Sequence, residues 1–352
     1  MKKSKMTEDF NSTSQRKKEQ LELCLTHNVN FKDKTSGFDY YDFEHYAITE
    51  VDIDKIDFTT FFLKKKIHYP FLISCMTGGI TEAENINARL AAVAGELNIP
   101  IGIGSQRQSL ENKDFNNSYK ILRKEAPSIP ILGNIGASQI IEMNNLDHVQ
   151  YLVDIIDADG LVIHLNAAQE LFQNMGVPVF SGLLKKLEKL VKKVNVPVIA
   201  KEVGAGISRK AAAKLLEVGI KGIDVAGAGG TSWTGVELLR SKNVNDDHFW
   251  DWGLPTSYCI KEVSKLKKVH KFILIGSGGI KTPFDMAKAF ALGADIAASA
   301  RVILQMLDKE DIIGVKNLIV DWFQVLKKIM FLTGTYTIND LHNKIILKEE
   351  LH

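Results

Sequence analysis

From Tyr69 onward, short apolar, β-branched or glycine-bounded runs alternate with stretches whose apolar positions recur at helical spacing. The short runs are FLISCMT (71–77), IPIGIGS (99–105), IPILGNI (129–135), GLVIHLN (160–166), VPVIAKEV (196–203), GIDVAG (222–227), KFILIGSG (271–278) and DIAASAR (295–301). Helical stretches such as AENINARLAAVAGELN, LLKKLEKLVKKV, SRKAAAKLLEVG and PFDMAKAFALGA lie between them. Eight strands, each followed by a helix, predict a parallel sheet closed into a single (β/α)8 TIM barrel. A doubly wound sheet would carry its glycine-rich turn after the first strand, whereas the glycines here cluster late.

The barrel is expected to occupy residues 69–352, and residues 1–68 to form an N-terminal extension. Residues 1–14 are polar and are expected to be mobile. Residues 15–26 have helical character, with Leu21, Leu23, Cys24 and Leu25 as the apolar side. Residues 27–68, rich in aromatic and acidic side chains, read as a covering segment with short strands. The stretch 229–256 after the sixth strand is too long for an ordinary βα connection. Long loops at that end of a barrel build substrate sites.

Composition narrows the classes of function. The 352 residues are 45% hydrophobic and 24% charged, enough for a large core, and the net charge of +2 offers no general field for nucleic acid or membrane. Cys24, Cys75 and Cys259 have no paired spacing, which argues against a disulfide framework or zinc site and fits a reducing cytoplasm. The basic N-terminus lacks an apolar core of the secretory type, and no run reaches the roughly 20 apolar residues that span a bilayer.

Strand alternation locates the chemistry. In GLVIHLN, Leu161, Ile163 and Leu165 share one face, and Gly160, Val162, His164 and Asn166 share the other. The aliphatic face suits the surrounding helices, so His164 and Asn166 point inward at the C-terminal end of the strand, with Gln169 and Glu170 in the loop above. Lys201 occupies the same place on VPVIAK, and Asn134, Ser105 and Thr77 end their own strands. A lone histidine is more often a satisfied core residue, and a lone Ser or Thr at a strand end is more often a helix N-cap. A shared rim above apolar layers is a different matter, because a buried lysine needs an anion or an electron-rich partner.

The turn GSGGIKTP (276–283) and the turn ASAR (298–301) follow the seventh and eighth strands, where this barrel binds phosphate. DVAGAGGTSW (224–233) adds a third glycine-dense turn. A phosphate clamp, an inward lysine and polar strand tips around a cavity suggest flavin mononucleotide (FMN). Spacing alone leaves a phosphosugar equally open.

The motifs MTGG (76–79), GSQR (104–107), NIGA (134–137), HLNAAQE (164–170), KEVGAGIS (201–208), GAGGTSW (227–233) and GSGGI (276–280), with RKKE (16–19), resemble the FMN-dependent type 2 isopentenyl-diphosphate isomerase family in order and over nearly the whole chain. The resemblance implies an isomerase of isoprene biosynthesis that interconverts isopentenyl and dimethylallyl diphosphates. It implies reduced FMN, Mg²⁺ and NADPH as cofactors, and a cytoplasmic homo-oligomer, tetrameric or larger. By matching position, Met76, Thr77, Gly78, Ser105, Asn134, Lys201 and Thr231 would hold the flavin. Ser277, Gly278, Gly279, Ser299 and Ala300 would form the turns that take its phosphate. Arg16, Lys17, Ser105, Gln106, Arg107, Asn166 and Gln169 would contact the substrate, with His164 and Gln169 as the catalytic pair and Glu170 on Mg²⁺.

Three positions depart from the family pattern. Gln20 stands where a histidine is usual, NMGVPVF (174–180) replaces an acidic glycine-containing stretch, and Lys281 replaces an arginine. The rival enzyme is an FMN-dependent hydroxy-acid oxidase or dehydrogenase on the same barrel, in which the arm and Glu170 would have no role. A phosphosugar- or nucleotide-binding regulatory barrel would explain the glycine turns but not Lys201, His164, Gln169 and Glu170 together.

Overall fold

A computed structural model of the chain describes residues 2–351 except Ile80, Met175, Asn243 and Val244. The described residues form twelve strands: β1 (Tyr41–Phe43), β2 (Thr60–Phe62), β3 (Lys65–Ile67), β4 (Phe71–Ile73), β5 (Ile101–Gly102), β6 (Ile131–Gly136), β7 (Gly160–Leu165), β8 (Val198–Glu202), β9 (Gly222–Asp224), β10 (Ile273–Ser277), β11 (Ile296–Ser299) and β12 (Ile345–Leu347). The strands β4 to β11 pair in parallel, each with the next, and β11 closes on β4 through Ala297–Phe71, Ala298–Leu72 and Ser299–Ile73. All eight expected barrel strands are there. Most are shorter than the apolar runs, because the chain peels away at the tips: β4 ends at Ile73, and Thr77 already accepts a bond from the Gly104 amide.

Side-chain alternation sorts the core into two clusters. Leu161 and Ile163 join the outer core between sheet and helices, while Val162 packs inside with Leu72, Leu132, Ile199, Ile275, Ile296 and Ala298. The parity expected for GLVIHLN is therefore the observed one.

The hairpin β2–β3 plugs the barrel floor with Phe62 and Ile67. Its two turn residues, Leu63 and Lys64, both have positive φ (48° and 69°), the backbone of a two-residue hairpin turn normally built from Asn or Gly. Leu63 offsets that strain by packing against the inner core. Beside the plug, Asp159 accepts bonds from Lys65 (2.9 Å), Arg123 (2.8 Å) and the Ile131 amide (2.9 Å). The covering segment is thus part of the barrel's packing, and β1 pairs antiparallel with β12 near the chain's end.

The arm is one helix from Lys2 to Thr26, which runs through the polar residues 2–14 as well as through 15–26. Once the buried part nucleates a helix, propagation adds one backbone bond per residue fixed, so a polar extension continues it. Among the described residues no helix is long and apolar enough to cross a membrane.

Candidate active site

The C-terminal end of the barrel opens into a cavity of about 430 Å³. Its floor is the strand tips, its far wall the glycine turns, and its roof the arm helix. Lys17, Gln20, Leu21 and Cys24, spaced i, i+3, i+4 and i+7, form the helix face that lines it. The arm is held at its root by Arg301, which donates to the Cys24 carbonyl (2.8 Å), the His27 carbonyl (2.8 Å) and Asn30 Oδ1 (2.9 Å).

Lys17 reaches between two strand-tip loops and donates to Gly78 O (2.7 Å), Ser105 O (3.2 Å) and Gln108 Oε1 (2.6 Å). Burial, then the neighbouring Arg16, pulls its ammonium down to about 7. Burial and Arg107 likewise lower Arg16, and Glu237 and Glu170 oppose them in part. Like charges held together out of water mark a place for an anion.

His164 Nδ1 lies 2.8 Å from Asn134 Oδ1. With that oxygen as acceptor, Nδ1 carries the proton and Nε2 keeps its lone pair. Burial, then the charges of Lys201 and Lys17, depresses the imidazole to about 3, so it is neutral at physiological pH. Lys201 is buried, donates to Glu202 O (2.7 Å) and lines the cavity. Gln169 also lines it and donates to Glu237 Oε1 (3.1 Å).

At the opposite wall, Gly278 and Gly279 have φ of 100° and 68°. A Cβ on Gly278 would stand 2.2 Å from Gly227 O, and one on Gly279 2.7 Å from the Gly229 carbonyl carbon. Only glycine permits both the left-handed backbone and this approach of two turns. Lys281 and Arg301 flank the turns, and burial, then Arg301, lowers Lys281.

Residues 162–348, just over half the chain, match the family model of FMN-dependent dehydrogenases. An isopentenyl-diphosphate delta-isomerase of Pelodictyon phaeoclathratiforme is 42% identical, covering 97% of this chain and 99% of its own length. The enzyme of the same name from Chlorobium limicola is 44% identical over 96% and 97%, and that of Nostoc sp. 40% over 95% and 96%. The chain belongs to the isopentenyl-diphosphate delta-isomerase family. Among solved structures, a mutant flavocytochrome b2 with pyruvate bound superposes with a TM-score of 0.68 at 18% identity, over 93% of this chain and 82% of that one. A lactate oxidase of Pediococcus acidilactici gives 0.67 at 14%, over 95% and 93%. At those identities the likeness is one of fold, and it agrees with the TIM barrel.

Of the residues singled out from the sequence, Lys17, Met76, Thr77, Gly78, Ser105, Asn134, His164, Gln169, Lys201, Thr231, Ser277, Gly278, Gly279, Ser299 and Ala300 line the cavity. Three of their hydroxyls are committed to the scaffold: Thr77 donates to Asn87 Oδ1 (2.6 Å), Ser277 to Asp224 Oδ1 (2.5 Å) and Ser299 to Ile280 O (3.0 Å). Gln106 does not line the cavity. It is fully buried, donating to Leu152 O (2.9 Å) and accepting from the Asn134 amide (2.9 Å), so it ties two strand ends together. Arg107 pairs with Glu111 at 2.8 Å. Asn166 and Glu170 lie behind the lining, joined by a 3.0 Å bond from Asn166 Nδ2 to Glu170 Oε1. Glu170 also accepts from Ser138 (3.2 Å), Gln173 (3.5 Å) and the Val177 amide (3.1 Å).

Glu237 was not expected. It is buried on the helix Trp233–Ser241 and accepts from Gln20 (2.6 Å) and Gln169 (3.1 Å) on one oxygen and Arg240 (2.6 Å) on the other. Arg240 in turn pairs with Glu19 (3.0 Å). Gln20 therefore serves as a link between arm and barrel wall. The trace in the sequence is an acidic residue on the apolar face of WTGVELL, three residues before an arginine.

Proposed function

We propose that the chain interconverts isopentenyl and dimethylallyl diphosphates, with FMN held in its reduced form in the cavity. The observation that carries this reading is the arm, which brings Lys17 and Gln20 over the same cavity as His164, Gln169 and Lys201. A hydroxy-acid oxidase has no use for such a roof.

The residues present fit a flavin nucleotide. The paired glycine turns, which no Cβ could enter, with Lys281 and Arg301 beside them, suit its phosphate. Lys201, with Met76, Thr77, Gly78, Ser105, Asn134 and Thr231, would surround the ring. When bound and reduced, the flavin supplies an electron-rich surface that stabilises positive charge developing on the alkene. The residues present also fit Mg²⁺. Asn166 Oδ1 is buried with no hydrogen-bond partner among the described residues, and the Glu170 carboxylate adjoins it. Mg²⁺ usually needs only one or two carboxylates beside phosphate oxygens and water.

In this reading residues 1–68 are arm and cover, and residues 69–352 are the flavin-binding barrel. Arg16, Lys17 and Arg107 neutralise the diphosphate remote from the reacting carbons, and that binding energy positions the five-carbon chain. Neutral His164 lines the cavity beside Gln169 and Lys201 and helps hold the substrate there. Gln169, aimed by Glu237, orients the substrate beside it. Closure of the arm excludes water, which strengthens each of these contacts. NADPH as the source of electrons, a cytoplasmic setting and a homo-oligomer of four or more chains complete the reading.

The test is anaerobic incubation with isopentenyl diphosphate, FMN, NADPH and Mg²⁺ in D₂O. Dimethylallyl diphosphate and deuterium in the recovered substrate are expected. Their absence from flavin-loaded protein would sink the isomerase reading.

A further inference from the structure

On β8, β9 and β10, side-chain alternation carries Lys201, Asp224 and Ser277 inward; Asp224 is registered with Lys201 on one side and Ile275 on the other, and Ser277 is the next inward position beyond Ile275. Lys201 and Asp224 are direct partners in the β8–β9 register. Lys201 and Ser277 line the cavity, and Asp224, only 1% exposed, lies behind them. Its carboxylate accepts a 2.5 Å bond from Ser277 Oγ. A carboxylate buried beneath the cavity is strongly disfavoured without a compensating charge.

The groups that act on it are few. Burial raises the Asp224 carboxyl, and Lys201, then Ser277 and the Ala226 amide, draw it back down. Cys75, from the β4 tip, interacts with both Asp224 and Lys201, but burial pushes its thiol up to about 11, so it is uncharged. His164, which also senses Lys201, is neutral. Lys201 is therefore the cation against which Asp224 is set.

We propose that Asp224 is a positioning residue that acts through Lys201: the two form a buried charge pair beneath the flavin, and the pair, not the lysine alone, sets how strongly the site favours the reduced, anionic ring. The inference rests on the flavin reading of the cavity. An unopposed ammonium at the floor would stabilise the reduced flavin most. Asp224 cancels part of that field. Asp224→Asn keeps the shape and an acceptor for Ser277 while removing the charge.

Wild type, Asp224→Asn, Lys201→Met and the double variant are loaded with FMN, and their midpoint potentials are read from flavin absorbance against redox dyes. Asp224→Asn should make the potential less negative and Lys201→Met more negative. In the Lys201→Met background the second change should have little effect, because a buried carboxyl without its counter-charge takes up a proton. A wild-type potential in Asp224→Asn, or the same shift in both backgrounds, overturns the proposal. If Asp224→Asn does not fold, Ser277→Ala replaces it: losing that donor favours protonated Asp224 and should move the potential the same way by less, and no movement overturns the proposal. Failure of the wild type to take up FMN overturns the flavin reading itself, before any variant is compared.

Discussion

The two ends of this barrel use charge in opposite ways. At the floor, Asp159 is matched by Lys65, Arg123 and a backbone amide, beside an apolar plug. At the mouth, Arg16, Lys17 and Arg107 stand near one another, and burial and mutual repulsion lower Lys17 and Arg16. One end is complete as folded. The other is complete only with an anion. A barrel can hold such a mouth because its stability is built elsewhere.

The largest effect should come from the floor. Asp159→Ala strands two cations and an amide, and should destabilise the fold by about 3 kcal/mol, with the flavin affinity of folded protein unchanged. Chemical denaturation and flavin titration separate the two. A loss of flavin affinity without a loss of stability would break the division between the ends. Next comes Glu170→Gln at the mouth, for which we expect a fall in kcat/KM of about 10²-fold, a weaker Mg²⁺ dependence and unchanged flavin binding. Glu170 accepts four bonds. If denaturation shows a loss as large as that of Asp159→Ala, with Mg²⁺ dependence intact, the residue belongs with the scaffold. The smallest effect concerns Lys17. Its ammonium titrates near 7 in the docked arm and at its ordinary value, 10.5, when the arm is free. The docked state thus binds fewer protons, and docking should strengthen as pH rises above 7. Proteolysis within residues 15–26, normalised to the same peptide free in solution, should slow by at most about tenfold per pH unit. Faster cleavage at higher pH would mean that the charged ammonium holds the arm.

Alternation made the barrel and the inward set of His164, Lys201 and Asn134 legible, because strand geometry fixes which way each side chain points. That rule lapses one residue past a strand. Gln106 sits between Ser105 and Arg107 in a motif of polar residues, yet its direction is set by a loop that turns it under the Asn134 amide. Glu237 was out of reach for another reason. Its partners Gln20 and Gln169 lie 217 and 68 residues away, and only the closed barrel brings them together. The plug of Phe62 and Ile67 was hidden similarly, since aromatic residues in a loop-rich stretch do not announce which cavity they fill.

The seam between β11 and β4 also imposes a schedule on synthesis. Phe71 opens the first barrel strand, and Ile296, 225 residues later (296 − 71), opens the last. At about 5–20 residues per second, β4 waits roughly 10–45 s for its second neighbour. During that interval a nascent chain carries an unpaired strand edge, the kind of surface that chaperones shield and aggregates extend. The β2–β3 hairpin, local in sequence and emerging just ahead of β4, is the part of the barrel able to fold first.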